Sequence, residues 1–139
     1  CTPIFIYDKI NKVIAAVHSG WRGTEQKILN KTLENLKKNF SSIPENLIIY
    51  IGPSISYANY EVGSDVAEKF DSNFVFRKDG KVFLDVSGIN YKLLLDFGIP
   101  KNQIQKSILC TYEFKDLLHS YRRDGSISGR SIGVIAIKG

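Results

Sequence analysis

Apolar positions along this chain switch between two periods, and each switch marks an element. Residues 2–7 read as a strand, with Asp8-Lys9-Ile10-Asn11 as its turn. Residues 12–17 read as a second, mostly buried strand. The period then lengthens. Thr24 reads as an N-cap with Glu25 in the first turn, and Ile28, Leu29, Leu33, Leu36 and Phe40 follow at helical spacing, with Lys37 and Lys38 near the C-terminal end. Residues 47–51 predict a short apolar strand ending at Gly52-Pro53-Ser54. Ser64 predicts the cap of a short helix carrying Val66, Ala67 and Phe70. Residues 74–77 and 82–85 flank Asp79-Gly80, a strong hairpin signal. Ser87 predicts the cap of a helix with Ile89, Leu93, Leu94 and Phe97, ended by Gly98 and barred from extension by Pro100. Residues 104–109 and 132–137 predict the last two strands. Strands and helices are interspersed with at least one hairpin, so the pattern predicts α+β with a mixed sheet rather than a purely parallel one.

Composition narrows the class. The 139 residues, 43% of them hydrophobic, suffice for one domain with its own core, spanning 1–139, and exclude a disordered chain. No apolar run approaches a membrane span and no signal-like segment opens the chain, so no membrane partner is expected. The first residue is Cys1 and not Met, which suggests a fragment or a processed chain, with any ligand upstream of Cys1 outside it. Two cysteines, Cys1 and Cys110, are too few for a disulfide scaffold, so reduced thiols and a cytoplasmic location are expected. The net charge of +5 comes from lysines spread over helix faces and turns, such as Lys27, Lys31, Lys69 and Lys81. That distribution reads as solvated surface rather than a nucleic-acid stripe.

The chemistry concentrates near the start. Cys1 opens the first strand, and His18 stands at the end of the second, inside His18-Ser19-Gly20-Trp21-Arg22-Gly23-Thr24. Strand, turn and strand would bring Cys1 and His18 to one end of a sheet. A thiolate beside an imidazole suits a metal or an activated nucleophile. Gly20 and Gly23 let the backbone approach a ligand, Arg22 offers a forked donor, and a helix starting near Thr24 would aim free N–H groups at an anion. The alternative is a core Trp21 with Arg22 in a structural ion pair. A second candidate is Ser120-Tyr121-Arg122-Arg123-Asp124-Gly125 with Gly129-Arg130, which reads equally as a charged turn. A third is Gly52-Pro53-Ser54-Ile55 with Tyr60-Glu61-Val62-Gly63. Cys110 reads as a buried, inert thiol, and His119 as a lone histidine with a structural or exposed role.

Read in order, these motifs resemble a known family. Cys1-Thr2-Pro3-Ile4, His18-Ser19-Gly20-Trp21-Arg22-Gly23-Thr24, Ile51-Gly52-Pro53, Tyr60-Glu61-Val62-Gly63, Cys110-Thr111-Tyr112 and Ser120-Tyr121-Arg122-Arg123-Asp124 look like those of the laccase-domain family. That family was formerly described as multicopper polyphenol oxidase and is now described as zinc-dependent purine nucleoside phosphorylase. The resemblance covers essentially the whole chain. It implies an α+β fold of mixed sheets packed with helices in layers, related to cysteine-histidine deamidase toxins. It also implies phosphorolysis of adenosine, inosine and methylthioadenosine to ribose 1-phosphate and base, with adenosine deamination as a side activity. The implied partners are a purine nucleoside and phosphate. The implied cofactor is zinc, with copper as the alternative, held by Cys1, His18 and a histidine upstream of Cys1. Cys1, His18 and Arg22 would carry catalysis, and Arg22, Gly23, Thr24, Arg122 and Arg123 would bind substrate or phosphate. Ser54 and His119 depart from the family pattern, which has a cysteine and an aromatic residue there.

Two rival enzymes follow from the same residues. A copper phenol oxidase that reduces dioxygen needs many histidines, and this chain has two. A hydrolase or deamidase would use Cys1 as nucleophile and His18 as base.

Overall fold

The computed structural model describes residues 1–138. Strict alternation in two strands decides the architecture. In β1 (Thr2–Asp8) every second residue from Thr2 to Asp8 is buried, and in β3 (Leu47–Ile51) Leu47, Ile49 and Ile51 are buried while Ile48 and Tyr50 are exposed. Alternation places those apolar side chains on one face of a sheet. The sheet has four strands in the order β2-β1-β3-β6, with β2 at Val13–Ser19 and β6 at Ile104–Lys106. β1 runs antiparallel to both neighbours and β6 runs parallel to β3, so the sheet is mixed as the sequence predicts.

Helices cover the buried face. α1 (Trp21–Glu25) leads into α2 (Ile28–Phe40), whose Leu29, Leu33 and Leu36 meet Ile4, Ile6, Val17 and Ile49 of the sheet. Leu94 of α4 (Val86–Asp96) and Ile99 complete this core. Burying each such side chain contributes roughly 1.5–3 kcal/mol. The opposite face carries Pro3, Phe5, His18, Ile48 and Tyr50, and Phe5 stacks on Tyr50 with ring centroids 6.3 Å apart. α3 (Ser64–Ala67), the hairpin β4 (Val75–Lys78) with β5 (Lys81–Leu84), and α5 (Tyr121–Asp124) complete the chain's elements. Asp79 and Gly80 both have positive φ (50° and 73°), the conformation a two-residue primed turn requires.

Several predicted boundaries shift for local reasons. The first helix starts at Trp21, with Gly20 and not Thr24 as its N-cap, and it breaks at Lys27, which adopts φ 57° before α2 begins. Asp85, not Ser87, caps α4, because its carboxylate reaches the Gly88 N–H at 2.8 Å. Gly63, not Ser64, precedes α3. Gly98 does end the α4 segment, at φ 101°. β6 stops at Lys106 instead of reaching residue 109. Residues 132–137 form no regular strand, and Ile132 and Val134 are exposed. The apolar run is there, but a strand exists only with a ladder partner, and among the described residues none pairs with it. Instead the segment crosses the open face, with Gly133 pressed against the Phe5 ring.

The turn between β1 and β2 is held by a buried carboxylate. Asp8 accepts the N–H groups of Ile10 and Asn11 and the Asn11 side-chain amide, each at 2.9 Å. Burial alone would raise the Asp8 carboxyl, but the Ser42 side chain and these donors outweigh it and hold the group below its ordinary value. A lowered native pKa stabilises the fold above the ordinary carboxylate range, and that contribution is lost as pH falls through the native value. Asp8→Asn should cost about 1–3 kcal/mol in denaturant unfolding at neutral pH. The variant should also lose part of the acid-side dependence of stability, measured as the unfolding midpoint between neutral and acid pH.

Candidate functional site

The hairpin register brings the first two candidate residues together. His18 pairs with Pro3 across β1 and β2, and Cys1 lies two positions before Pro3, on the same open face. Cys1 and His18 are therefore diagonal neighbours, a separation that side chains can bridge. The sulfur has room because position 20 carries no side chain: a Cβ at Gly20 would sit 3.0 Å from Cys1 Sγ. Both residues line one open cavity of about 430 Å³, which also takes Tyr60, His119, Arg122 and Arg130. That volume lies in the range of small-molecule sites.

The four arginines of the candidate motifs take different positions. Arg22 is exposed, lies 4.4 Å over the Trp21 ring, and is not among the residues lining the cavity. Arg122 lines it, with its guanidinium 5.0 Å over the Tyr60 ring and its Nη1 donating to the Glu61 carbonyl at 2.6 Å. Arg130 also lines it and stacks 5.5 Å from the Tyr121 ring. Arg123 is committed elsewhere. Its Nη1 donates to the carbonyls of Thr111 and Tyr112, its Nη2 to that of Leu118, and its Nε and Nη2 to Asp124 at 2.8 Å. Every arm of that fork is spent on holding a loop.

Gly23 and Thr24 serve packing in this geometry. A Cβ at Gly23 would lie 3.2 Å from the Ile28 side chain. Thr24 is buried, and its backbone N–H, expected to be free for an anion, donates to the Gly20 carbonyl at 2.8 Å. The Thr24 hydroxyl donates to the same carbonyl at 2.8 Å, lies 2.9 Å from Ser19 Oγ, and accepts from Asn90 Nδ2 at 3.1 Å.

Cys110 is buried as expected, yet it is not surrounded by apolar groups alone. Ser56 N–H reaches its sulfur at 3.3 Å and Asn59 Nδ2 at 3.6 Å. Burial pushes this thiol up, but hydrogen bonds from Ser56 and neighbouring backbone outweigh it and leave the group below its ordinary value. At Tyr60 the balance is opposite: burial raises the phenol against the pull of Arg122 and Arg22. Tyr60 is therefore a neutral O–H donor at the cavity wall. Nothing in the sequence ranked Tyr60, His119 or Arg130 above their neighbours. Backbone pairing of Tyr60 and Val62 with β5 is what turns that segment toward the cavity.

The family model described as multi-copper polyphenol oxidoreductase laccase matches residues 1–138. The chain belongs to that family. A purine nucleoside phosphorylase of Bacteroides thetaiotaomicron is 40% identical over 145 residues, covering 99% of this chain and 54% of the relative. One from Clostridium acetobutylicum is 35% identical, with 99% of this chain and 59% of the relative covered. The crystal structure of YfiH, a hypothetical protein of Bacillus licheniformis, superposes with a TM-score of 0.83 at 30% identity, covering 89% of this chain and 49% of that one. The chain of this laccase-family member thus spans about half the length of the relatives it matches. Among the described residues, no helix is long and apolar enough to cross a membrane.

The Thr24 geometry yields a test. Thr24→Val keeps the shape but leaves Ser19 Oγ and Asn90 Nδ2 without their buried partner, and should cost roughly 2–4 kcal/mol in unfolding.

Proposed function

We propose that the protein carrying this chain cleaves purine nucleosides with phosphate, giving ribose 1-phosphate and the free base. Inosine, adenosine and methylthioadenosine are its substrates, and adenosine deamination is a side activity. The observation that carries this reading is the convergence of Cys1, His18 and two cavity-lining guanidinium groups in one open cavity. The names of the relatives support it, as purine nucleoside phosphorylases at 31–40% identity.

Cys1 and His18 fit zinc by donor chemistry, as a thiol and an imidazole at diagonal positions across the hairpin with Gly20 leaving the sulfur accessible. Among the described residues no group of three His, Cys, Asp or Glu side chains is placed to hold a metal ion. The third protein ligand in this reading comes from outside the described residues. When bound, zinc supplies a Lewis acid that polarises an oxygen ligand and, for deamination, lowers the pKa of a water.

The rest is work for this chain's own residues. Phosphorolysis requires a phosphate oxygen to attack the ribose anomeric carbon while the glycosidic electron pair leaves with the base. Charge then builds on both sides of an oxocarbenium-like sugar. Of the three arginines the sequence put forward, Arg122 holds the phosphate in this reading, and Arg22 and Arg123 do not. The plane of Arg122 is set by Tyr60 and one N–H by Glu61, so its remaining donors have a fixed direction. Arg130 adds a second positive charge, with Nη1 braced on the Ser128 carbonyl at 2.7 Å. Tyr60 donates a neutral hydrogen bond from the same wall.

The full-length protein should release hypoxanthine from inosine only when phosphate is present. His18→Ala should abolish that release with the fold retained. Arg122→Ala should raise the phosphate KM by roughly 10–100-fold, the value of one or two charge-assisted hydrogen bonds, while the nucleoside KM moves less. Phosphate-independent release, or an unaffected His18→Ala, would overturn the reading.

A further inference from the structure

The cavity holds one more side chain with unspent chemistry, His119. Its backbone is fixed on both sides. The preceding carbonyl, of Leu118, accepts Arg123 Nη2 at 2.9 Å, and the following residue, Ser120, is buried and caps α5. Its ring lies against Gly129 so closely that a Cβ there would collide with it. Gly129 thus leaves space for the imidazole. Among the described residues neither ring nitrogen of His119 has a hydrogen-bond partner, and the residue is exposed to the cavity. An imidazole on a held backbone, with ring nitrogens that no neighbour uses, is a recognition element for a polar edge.

The partner follows from what the other residues leave unserved. His119 does not join Cys1 and His18 as a metal-holding group of three. The anionic phosphate is matched by the cations Arg122 and Arg130. The part of a nucleoside that suits an imidazole is the planar base, whose edge presents ring-nitrogen acceptors and exocyclic groups. Resting on the phosphorolysis reading above, we infer that His119 contacts the nucleobase and hydrogen-bonds its edge. Arg123 and Gly129 then act as positioning residues, one through the Leu118 carbonyl and the other by leaving space for the ring.

The test uses the full-length protein, with inosine as the probe and two readouts: the Kd for inosine by calorimetry and steady-state kcat/KM. His119→Phe keeps a ring and removes both nitrogens. It should weaken inosine binding and lower kcat/KM by roughly 10–100-fold, while the phosphate KM stays within about twofold. His119→Gln, which restores a donor and an acceptor, should recover part of the loss. Gly129→Ala should produce a similar loss by displacing the ring. Combined with His119→Ala it should add almost nothing, because the two act through one contact. The inference fails if His119→Phe binds and turns over inosine like wild type, or if the phosphate KM is the parameter that moves. Inosine binding without phosphate-dependent release would overturn the phosphorolysis reading alone, and the Kd series would still decide the role of His119. Wild-type protein that binds no inosine would overturn both.

Discussion

One buried oxygen, Thr24 Oγ1, ties together the three elements that form the site's base. It serves the Gly20 carbonyl, Ser19 of β2 and Asn90 of α4 in a single cluster. A hydroxyl can donate once and accept twice, and here all three capacities are used. The cluster sits on the covered side of the sheet and His18 on the open side, so the same strand end is anchored from behind and lines the cavity in front. Gly20 lies at the junction. Its carbonyl is bound into the cluster while its missing side chain makes room for the Cys1 sulfur. Loss of the cluster would free the turn that sets both positions.

Adjacent arginines illustrate how neighbouring identical charges divide their work. Arg123 is the better-connected residue, with its donors on three carbonyls and the Asp124 carboxylate. Asp124 in turn is held below the ordinary carboxylate value, first by its hydrogen bond with Arg123. A guanidinium satisfied in this way is a strut, because binding an anion would break contacts already made. Arg122 has one carbonyl partner and an aromatic face behind it, which fixes direction without consuming the fork. Connection and availability are opposite properties, and the cavity uses the less connected arginine.

Much of the fold was legible because local rules agreed with tertiary ones. The strands β1 and β3, the Leu29-Leu33-Leu36 stripe of α2 and the Asp79-Gly80 turn are each decided by residues within a few positions. Misreadings cluster where several residues compete for one role. Gly20, Thr24 and Lys27 all stand near a helix start, and the winner is set by Thr24 being drawn into the core. Residues 132–137 carry a strand's pattern without a strand's partner, and pattern cannot report a partner's absence. In the site, the Cys1 and His18 pairing was legible because a hairpin preserves register. The roles of Arg22, Arg122 and Arg123 were not, because which guanidinium stays free depends on carbonyls from distant segments.

The sequence by itself determined the α+β class, the hairpin and the meeting of thiol and imidazole at one strand end. Each of these follows from periodicity over short separations, where the backbone leaves few alternatives. Only the tertiary structure decided which cation faces the cavity, that Thr24 is a buried anchor, and that His119 and Tyr60 share a wall with Cys1. Those outcomes depend on contacts between segments far apart in the chain, where hydrogen-bond satisfaction and packing volume, not local pattern, choose among equivalent side chains.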